Sequence, residues 1–380
     1  MQQSCWNPVN DTGFLMSPDP VFDLSIVGSG LPLLVSTTLE HIADSLPELI
    51  KSGNLRNVID ELEAYDVSAL RNIRDFRVVE RAFQIYAHLA NAYVWCDEEN
   101  PKHHIPEGVA VPLVELSKMV ERPPILPYAA TSLCNFRRRD PHDDLVADNL
   151  ECIIKFVDIP DESWFHLIHV EIEAHAANAL KACVEATSAI SSDDAQMVKS
   201  ELATIPEAFG KMMATFKRMD EHCSPEVYFH TSRPYRFGFD DVVYRGVEDF
   251  NGRPQTFCGE TGEQSTVVPA LKAFLGLQNE QHGLSEPLEV VKPYMPSPHR
   301  QLLAGIDSQK IRKYVVNQKS QSLKQIYNNC LEGLFEFRSL HFNMLKGHVA
   351  CKVKNPIGRG GTDFMHWLQN LRNETAAQYI

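Results

Sequence analysis

The chain has 380 residues, 44% of them hydrophobic and 23% charged, which is enough apolar material for a large core and an ordinary charge content for a soluble protein. Its 36 basic and 50 acidic residues leave a net charge of -14, which argues against nucleic acid and anionic membrane as main partners. Nine cysteines run from Cys5 to Cys351 with no CxxC pair, and the opening MQQSCWNPVNDTG is neither basic nor apolar, so free thiols, no signal peptide and a cytoplasmic location are expected. The most apolar early run, Leu24 to Val35, contains Gly28, Gly30 and Pro32 and is too short and too broken to cross a bilayer.

Residues 1–35 carry proline, glycine and aspartate and read as an extended arm. Thr37 followed by Glu40 has capping-box spacing, and Leu39, Ile42, Leu46 and Leu49 predict a helix that closes near Gly53 with a kink at Pro47. Leu55, Val58, Ile59 and Leu62 predict a second helix. Val78 to Trp95 predicts a third, long and apolar enough to be central. In the loop CDEENPKHHIPEG, His103 and His104 read as exposed. Val109 to Val120 predicts another helix, ended by ERPPILP, and RRRDPHDDLVAD is a charged loop. LECIIKFVDIP, residues 150–160, is short, apolar and partly β-branched: a strand, or the linker into a second domain. A break there divides the chain into a small N-terminal helical domain with its linker, residues 1–156, and a large helical domain, residues 157–380.

The second part is strongly helical. WFHLIHVEIEAHAANALKACVEA predicts one helix, and Ala195 to His222 a second with Pro206 near its first turns. The aromatic and basic VYFHTSRPYRFGF follows. FCGETGEQST is a glycine-containing loop before a helix from Val267 to Leu277, and PYMPSPHRQLLAGI leads into two shorter helices. The stretch Gln321 to Cys351 has no proline, and Leu323, Tyr327, Cys330, Leu334, Phe337, His341, Leu345 and His348 form one stripe on a long helix. NPIGRGGTD is a glycine loop, and Asp363 to Gln378 a last helix. Strands are nearly absent, so the fold class is all-α.

Several residues could carry chemistry. His341 sits on the apolar stripe, either as a core histidine with satisfied nitrogens or as a metal ligand, most plausibly the proximal ligand of a haem. Arg338, one turn earlier, suits a haem propionate or an ordinary helix-surface ion pair. His169 and Glu173 share a helix face, as a non-haem metal pair would, with His175 off that face; no HExxH or carboxylate triad accompanies them. Arg233, flanked by Tyr228, Phe229 and Tyr235, is a carboxylate clamp or an arginine stacked for structure alone. GRGGTD has no preceding strand and no GK[ST], so it reads as a mobile lid or a plain connecting loop rather than a nucleotide loop.

Together AYVW (92–95), VPLVELSK (111–118), RPPILPYA (122–129), SRPYRFGF (232–239), PYMPSPHR (293–300), RSLH (338–341) and GRGGTDFM (358–365) resemble the indoleamine 2,3-dioxygenase family, in family order, from about Leu39 to Gln378. The resemblance implies an all-helical fold of two domains enclosing one haem b. It implies that His341 is the proximal iron ligand, with Arg338 beside the cofactor, and that Arg233 holds the substrate carboxylate. Tyr128, Thr131, Phe165, Tyr228 and Phe229 match the family's distal-pocket positions, and Thr261 and Gly262 its short loop over the haem. The implied reaction adds both atoms of O2 across the indole C2–C3 bond of L-tryptophan, and of other indoleamines, giving N-formylkynurenine as the first step of the kynurenine pathway. An electron donor would keep the haem ferrous. His169 stands where the vertebrate enzymes carry serine, the pair before it reads Phe165-His166, and Arg359 replaces the small hydroxyl residue usual in the substrate-covering loop. The rival implied by the same scaffold is a weakly active or non-catalytic haem protein that binds O2.

Overall fold

The computed structural model describes residues 3–8, 10–277, 286–348 and 364–380. Helices dominate it. The first part holds α1 (Leu33–Asp44), α2 (Leu46–Lys51), α3 (Leu55–Asp60), α4 (Phe76–Trp95) and α5 (Glu107–Val120). Then come α6 (Pro160–Ser191), α7 (Ala195–Lys217), and two single turns, α8 (Met219–His222) and α9 (Pro225–Val227). The remainder is α10 (Val267–Phe274), α11 (Glu286–Val291), α12 (Ser297–Gly305), α13 (Lys310–Asn317), α14 (Gln321–His348) and α15 (Phe364–Ala376).

Strands are minor and short. β1 (His104–Ile105) pairs in parallel with β4 (Phe239–Tyr244), which pairs antiparallel with β5 (Gln255–Phe257). β2 (Arg137–Arg138) and β3 (Leu150–Glu151) form a second, antiparallel pair. The all-α class stands; the small sheet pins the aromatic-basic segment ahead of β4 to the loop after α4.

The first helix starts earlier than Thr37. Pro32 precedes it, and Thr37 lies inside it with its hydroxyl donating to the Leu33 carbonyl at 2.8 Å, so it caps nothing. Leu33 and Leu34 are 67% and 77% exposed, so the first turn falls outside the apolar stripe that marks the rest. Pro47 does not kink a continuous helix. The chain breaks at Ser45, and Pro47 occupies the first turn of α2, where its missing N–H has no partner to lose. The helix predicted from Ala195 to His222 stops at Lys217, and Pro206 lies well inside it rather than near its start. The helix from Val267 ends at Phe274, with Gly276 just beyond at φ +72°.

The N-terminal arm belongs to the core. Trp6, Phe14, Leu15 and Met16 are fully buried, and Trp6 donates from Nε1 to Glu80 Oε1 at 2.7 Å. That contact lies on α4, which is buried on almost every side, polar residues included. Its buried charged groups are paired, Glu80 with Arg122 and Arg81 with Glu40, and Asn91 Nδ2 donates to the Tyr235 carbonyl at 2.9 Å, whereas the Tyr86 hydroxyl and the Trp95 indole N–H are buried with no hydrogen-bond partner among the described residues. One continuous core runs from Trp6 to Phe337. Within it α6 packs along α7, and α7 along α14. Gly333 permits that second approach, since a Cβ there would meet Phe209 Cδ2 at 2.7 Å. No described helix is long and apolar enough to cross a membrane.

Candidate active site

The stripe on α14 packs as its spacing predicts: Leu323, Tyr327, Cys330, Leu334 and Phe337 are buried. His341 comes next on that face, half-buried, with the ring of Phe216 from α7 edge-on at 5.9 Å. Burial, with the nearby His169 adding to it, lowers the His341 pKa to about 4. The imidazole is therefore neutral near pH 7, and among the described residues it makes no hydrogen bond. Arg338, one turn earlier, is buried and donates from Nη1 to Thr375 Oγ1 of α15 at 2.6 Å. Burial lowers its pKa to about 10 against the opposing pull of Glu374, and Lys272 of α10, itself lowered to about 8, lies within its field.

The helix α6 supplies His169, which lies within the electrostatic reach of His341. His169 donates from Nδ1 to the Phe165 carbonyl at 2.7 Å, and burial lowers its pKa to about 4, so its Nε2 keeps a lone pair. Phe165 stacks on Tyr228 with centroids 4.4 Å apart, and meets His169 at 4.5 Å in a tilted arrangement. Tyr128 approaches His169 edge-on at 6.1 Å. Tyr128 leads into one π-helical turn, Ala129–Leu133, and Tyr228 opens another, Tyr228–Ser232. Such turns re-aim side chains and recur at functional sites. Thr131 is buried in the first, its hydroxyl donating to the Tyr128 carbonyl at 3.2 Å. The loop bearing Thr261 and Gly262 is tied to the same wall: Tyr128 N donates to Gln264 Oε1 at 2.7 Å, and Gln264 Nε2 donates to the Gly259 carbonyl at 2.9 Å.

The guanidinium of Arg233 lies between two phenyl rings, 4.9 Å from the centre of Phe229 and 5.1 Å from that of Phe237. Among the described residues it has no ion pair and no hydrogen bond, and burial lowers its pKa. The sequence reading missed a second arginine, Arg236, which is fully buried, 4.5 Å above both Phe165 and Tyr228, and 3.6 Å from Glu260. Its only signal is its place three residues after Arg233 in RPYR. Arg359 lies outside the described residues, as does the rest of the glycine loop before Phe364.

The other candidates resolve into structure. His175 reaches Glu171 at 3.4 Å, and Glu171 also accepts from Ala147 N and Thr215 Oγ1 at 2.7 and 2.6 Å. Glu173 takes bonds from Tyr128 and Ser265 rather than joining His169. Among the described residues no group of three His, Cys, Asp or Glu side chains could hold a bare metal ion. His104 is half-buried, not exposed, because the sheet draws it within 3.3 Å of the Tyr93 hydroxyl.

This donor set fits a haem better than a bare ion. One neutral imidazole with an available lone pair, that of His341, would suffice to hold the iron of a haem, which needs no further protein ligands of the kind a bare ion requires. Arg338 supplies a buried cation one turn from that imidazole, suited to a propionate. Within the electrostatic reach of His341 lies neutral His169, whose aromatic neighbours Phe165 and Tyr128 suit a flat apolar ligand.

The fold and site thus define an all-helical protein in which a neutral histidine, His341, lies within the electrostatic reach of His169 and its aromatic neighbours. The model of the family described as indoleamine 2,3-dioxygenase matches residues 8–356. The chain is 29% identical to rat indoleamine 2,3-dioxygenase 1, over 88% of this chain and 87% of the relative, and 28% identical to the mouse protein of that name over 96% and 92%. It is 27% identical to the indoleamine 2,3-dioxygenase of Saccharomyces cerevisiae over 89% and 86%. The chain belongs to the indoleamine 2,3-dioxygenase family, a family of oxidoreductases.

Proposed function

We propose that the protein is a haem-dependent dioxygenase that inserts both atoms of O2 into the indole C2–C3 bond of L-tryptophan, giving N-formylkynurenine and opening tryptophan catabolism. The observation that carries the reading is that a neutral His341 lies within the electrostatic reach of His169 and its aromatic cluster, whose neighbouring Arg233 has no carboxylate partner among the described residues, where His341 likewise makes no hydrogen bond.

His341 is the iron ligand in this reading, and Arg338 pairs with a propionate. Haem b, when bound and kept ferrous by an electron donor, supplies the iron at which O2 is activated. The protein positions the substrate and keeps it dry. Phe165, Tyr228 and Tyr128 wall the flat indole, with Thr131 behind Tyr128. Arg233 fixes the amino-acid end with a charge-assisted fork, its planar group already held between Phe229 and Phe237. His169 accepts the indole N–H at Nε2, because its Nδ1 hydrogen is already used by Phe165. No stronger base is needed, since the indole C3 carries the nucleophilic electron pair. Thr261 and Gly262 close the wall beside Tyr128.

The test is turnover of L-tryptophan under 18O2 by the ferrous protein. Two labelled oxygens in N-formylkynurenine are expected. A stable oxygen-bound spectrum with no product would instead identify a carrier on this scaffold.

A further inference from the structure

One buried acid in this pocket has no part in the reaction as described. Glu173 is 1% exposed, one turn after His169 on α6. Its Oε1 accepts from the Tyr128 hydroxyl at 3.1 Å and from Ser265 Oγ at 2.6 Å. Its Oε2 is buried with no hydrogen-bond partner among the described residues. A carboxylate placed so would leave an unsolvated anionic oxygen, which is costly; a carboxylic acid needs only one hydrogen at Oε2.

Among the described residues the surroundings supply no countercharge. Tyr128, ahead of its π-helical turn, and Ser265, ahead of α10, are the groups that touch the carboxyl. Glu260 acts on Tyr128, and His169 meets Tyr128 edge-on. Among the described residues no lysine or arginine pairs with Glu173, and neither α7 nor α13, both packed on α6, presents a titratable group to it. Burial pushes its pKa up to about 7, with the two hydrogen bonds pulling the other way.

We propose that Glu173 is a positioning residue whose proton controls substrate binding: it ties the Tyr128 phenol to Ser265, and the pocket accepts its indole best when the carboxyl is protonated. The physical reason is linkage. An indole packed on Tyr128 lowers the polarity around the carboxyl, which disfavours the anion further. Tryptophan binding therefore takes up a proton, and by reciprocity affinity falls as pH rises through neutrality. The proton moves between Glu173 Oε2 and solvent; no bond of the substrate is involved. This inference rests on the pocket being the tryptophan site, but part of its test does not.

The substrate-independent arm is infrared spectroscopy of the tryptophan-free holoprotein, with the protonated-carboxyl stretch followed from about pH 5.5 to 8.5, a window centred on neutrality. The band should titrate near neutral pH in the wild type and be missing in Glu173→Gln, a near-isosteric change that keeps acceptors for Tyr128 and Ser265. Tyr128→Phe removes one bond to the anion and should move the midpoint up by about 0.4 to 1 unit, the worth of one hydrogen bond. In the kinetic arm, KM for tryptophan should rise about threefold to tenfold across the window, as a shift of half a unit to one unit on binding requires, with kcat changing less. Glu173→Gln should flatten that rise. A band that titrates in the ordinary carboxylate range, or one that persists in Glu173→Gln, overturns the assignment. So does an unaltered KM profile in a Glu173→Gln protein with normal haem content. If tryptophan is not turned over, the function proposed above fails, while the infrared result still decides whether Glu173 holds a proton.

Discussion

His169 donates its Nδ1 hydrogen to the carbonyl of Phe165, one turn back on the same helix, at 2.7 Å. That single bond selects the tautomer, because a carbonyl can only accept. The ring is neutral near pH 7, so Nε2 presents a lone pair and no proton. In the proposed reaction His169 would therefore accept the indole N–H rather than act as an acid. His169→Ser should keep haem and measurable N-formylkynurenine formation, at a cost of about threefold to tenfold in kcat/KM, the worth of one net hydrogen bond. 1-Methyltryptophan, which has no indole N–H, should be far less sensitive to the change. Steady-state kinetics with both substrates check this; complete loss of activity at normal haem content would give His169 a larger role.

Arg233 should read the substrate carboxylate. A charge-assisted hydrogen bond contributes roughly 1.5–3 kcal/mol, so Arg233→Ala should lower kcat/KM for tryptophan about tenfold to more than a hundredfold. Lysine should restore only part, since it lacks the flat fork that fits between Phe229 and Phe237. Tryptamine, with no carboxylate, should be nearly indifferent. Equal losses for both substrates would mean that Arg233 holds the pocket walls and nothing more.

Three buried histidines away from His341 should make the protein acid-sensitive. Burial holds the His88 pKa down to about 3 and those of His166 and His299 well below their ordinary value. The unfolded chain binds these protons near pH 6.5 and the folded chain does not. Their contribution is thus fully present above about pH 6.5 and is lost as pH falls toward the folded-state values, by up to about 1.4 kcal/mol per pH unit for each ring. Urea midpoints at pH 7, 6, 5 and 4.5 should fall progressively. His88→Gln, which can still reach the Gln84 carbonyl, should make the fall shallower even if it lowers stability at pH 7.

The periodic parts of the fold were legible in the chain. Val78 to Trp95 and the stripe from Leu323 to Phe337 carry long apolar repeats, and both are buried helices at nearly the expected bounds. Thr37 misled because the first turn of its helix is exposed leucine, which periodicity cannot distinguish from loop. The arm misled because Trp6 and Phe14 are isolated aromatics in a proline- and glycine-rich stretch, and only the tertiary partner Glu80 shows where Trp6 goes. The strands are two, three and six residues long, too short for an alternating pattern except in β4. In the pocket, the aromatic pair Phe165 and Tyr228 and the arginine Arg233 were marked by composition and resemblance. Glu173 and Arg236 were not recognised as pocket groups, because their meaning depends on partners far away in sequence: Ser265 and Tyr128 for one, Phe165 and Glu260 for the other.

The central claim is that His341 holds a haem, and haem retention in His341→Ala tests it most directly. His341 is half-buried and without a hydrogen bond among the described residues, so its removal should leave the helices standing. The purified variant should keep the wild-type far-ultraviolet circular dichroism and lose the Soret band, and added imidazole should restore part of that band. A His341→Ala protein that retains stoichiometric haem without added imidazole would contradict the account.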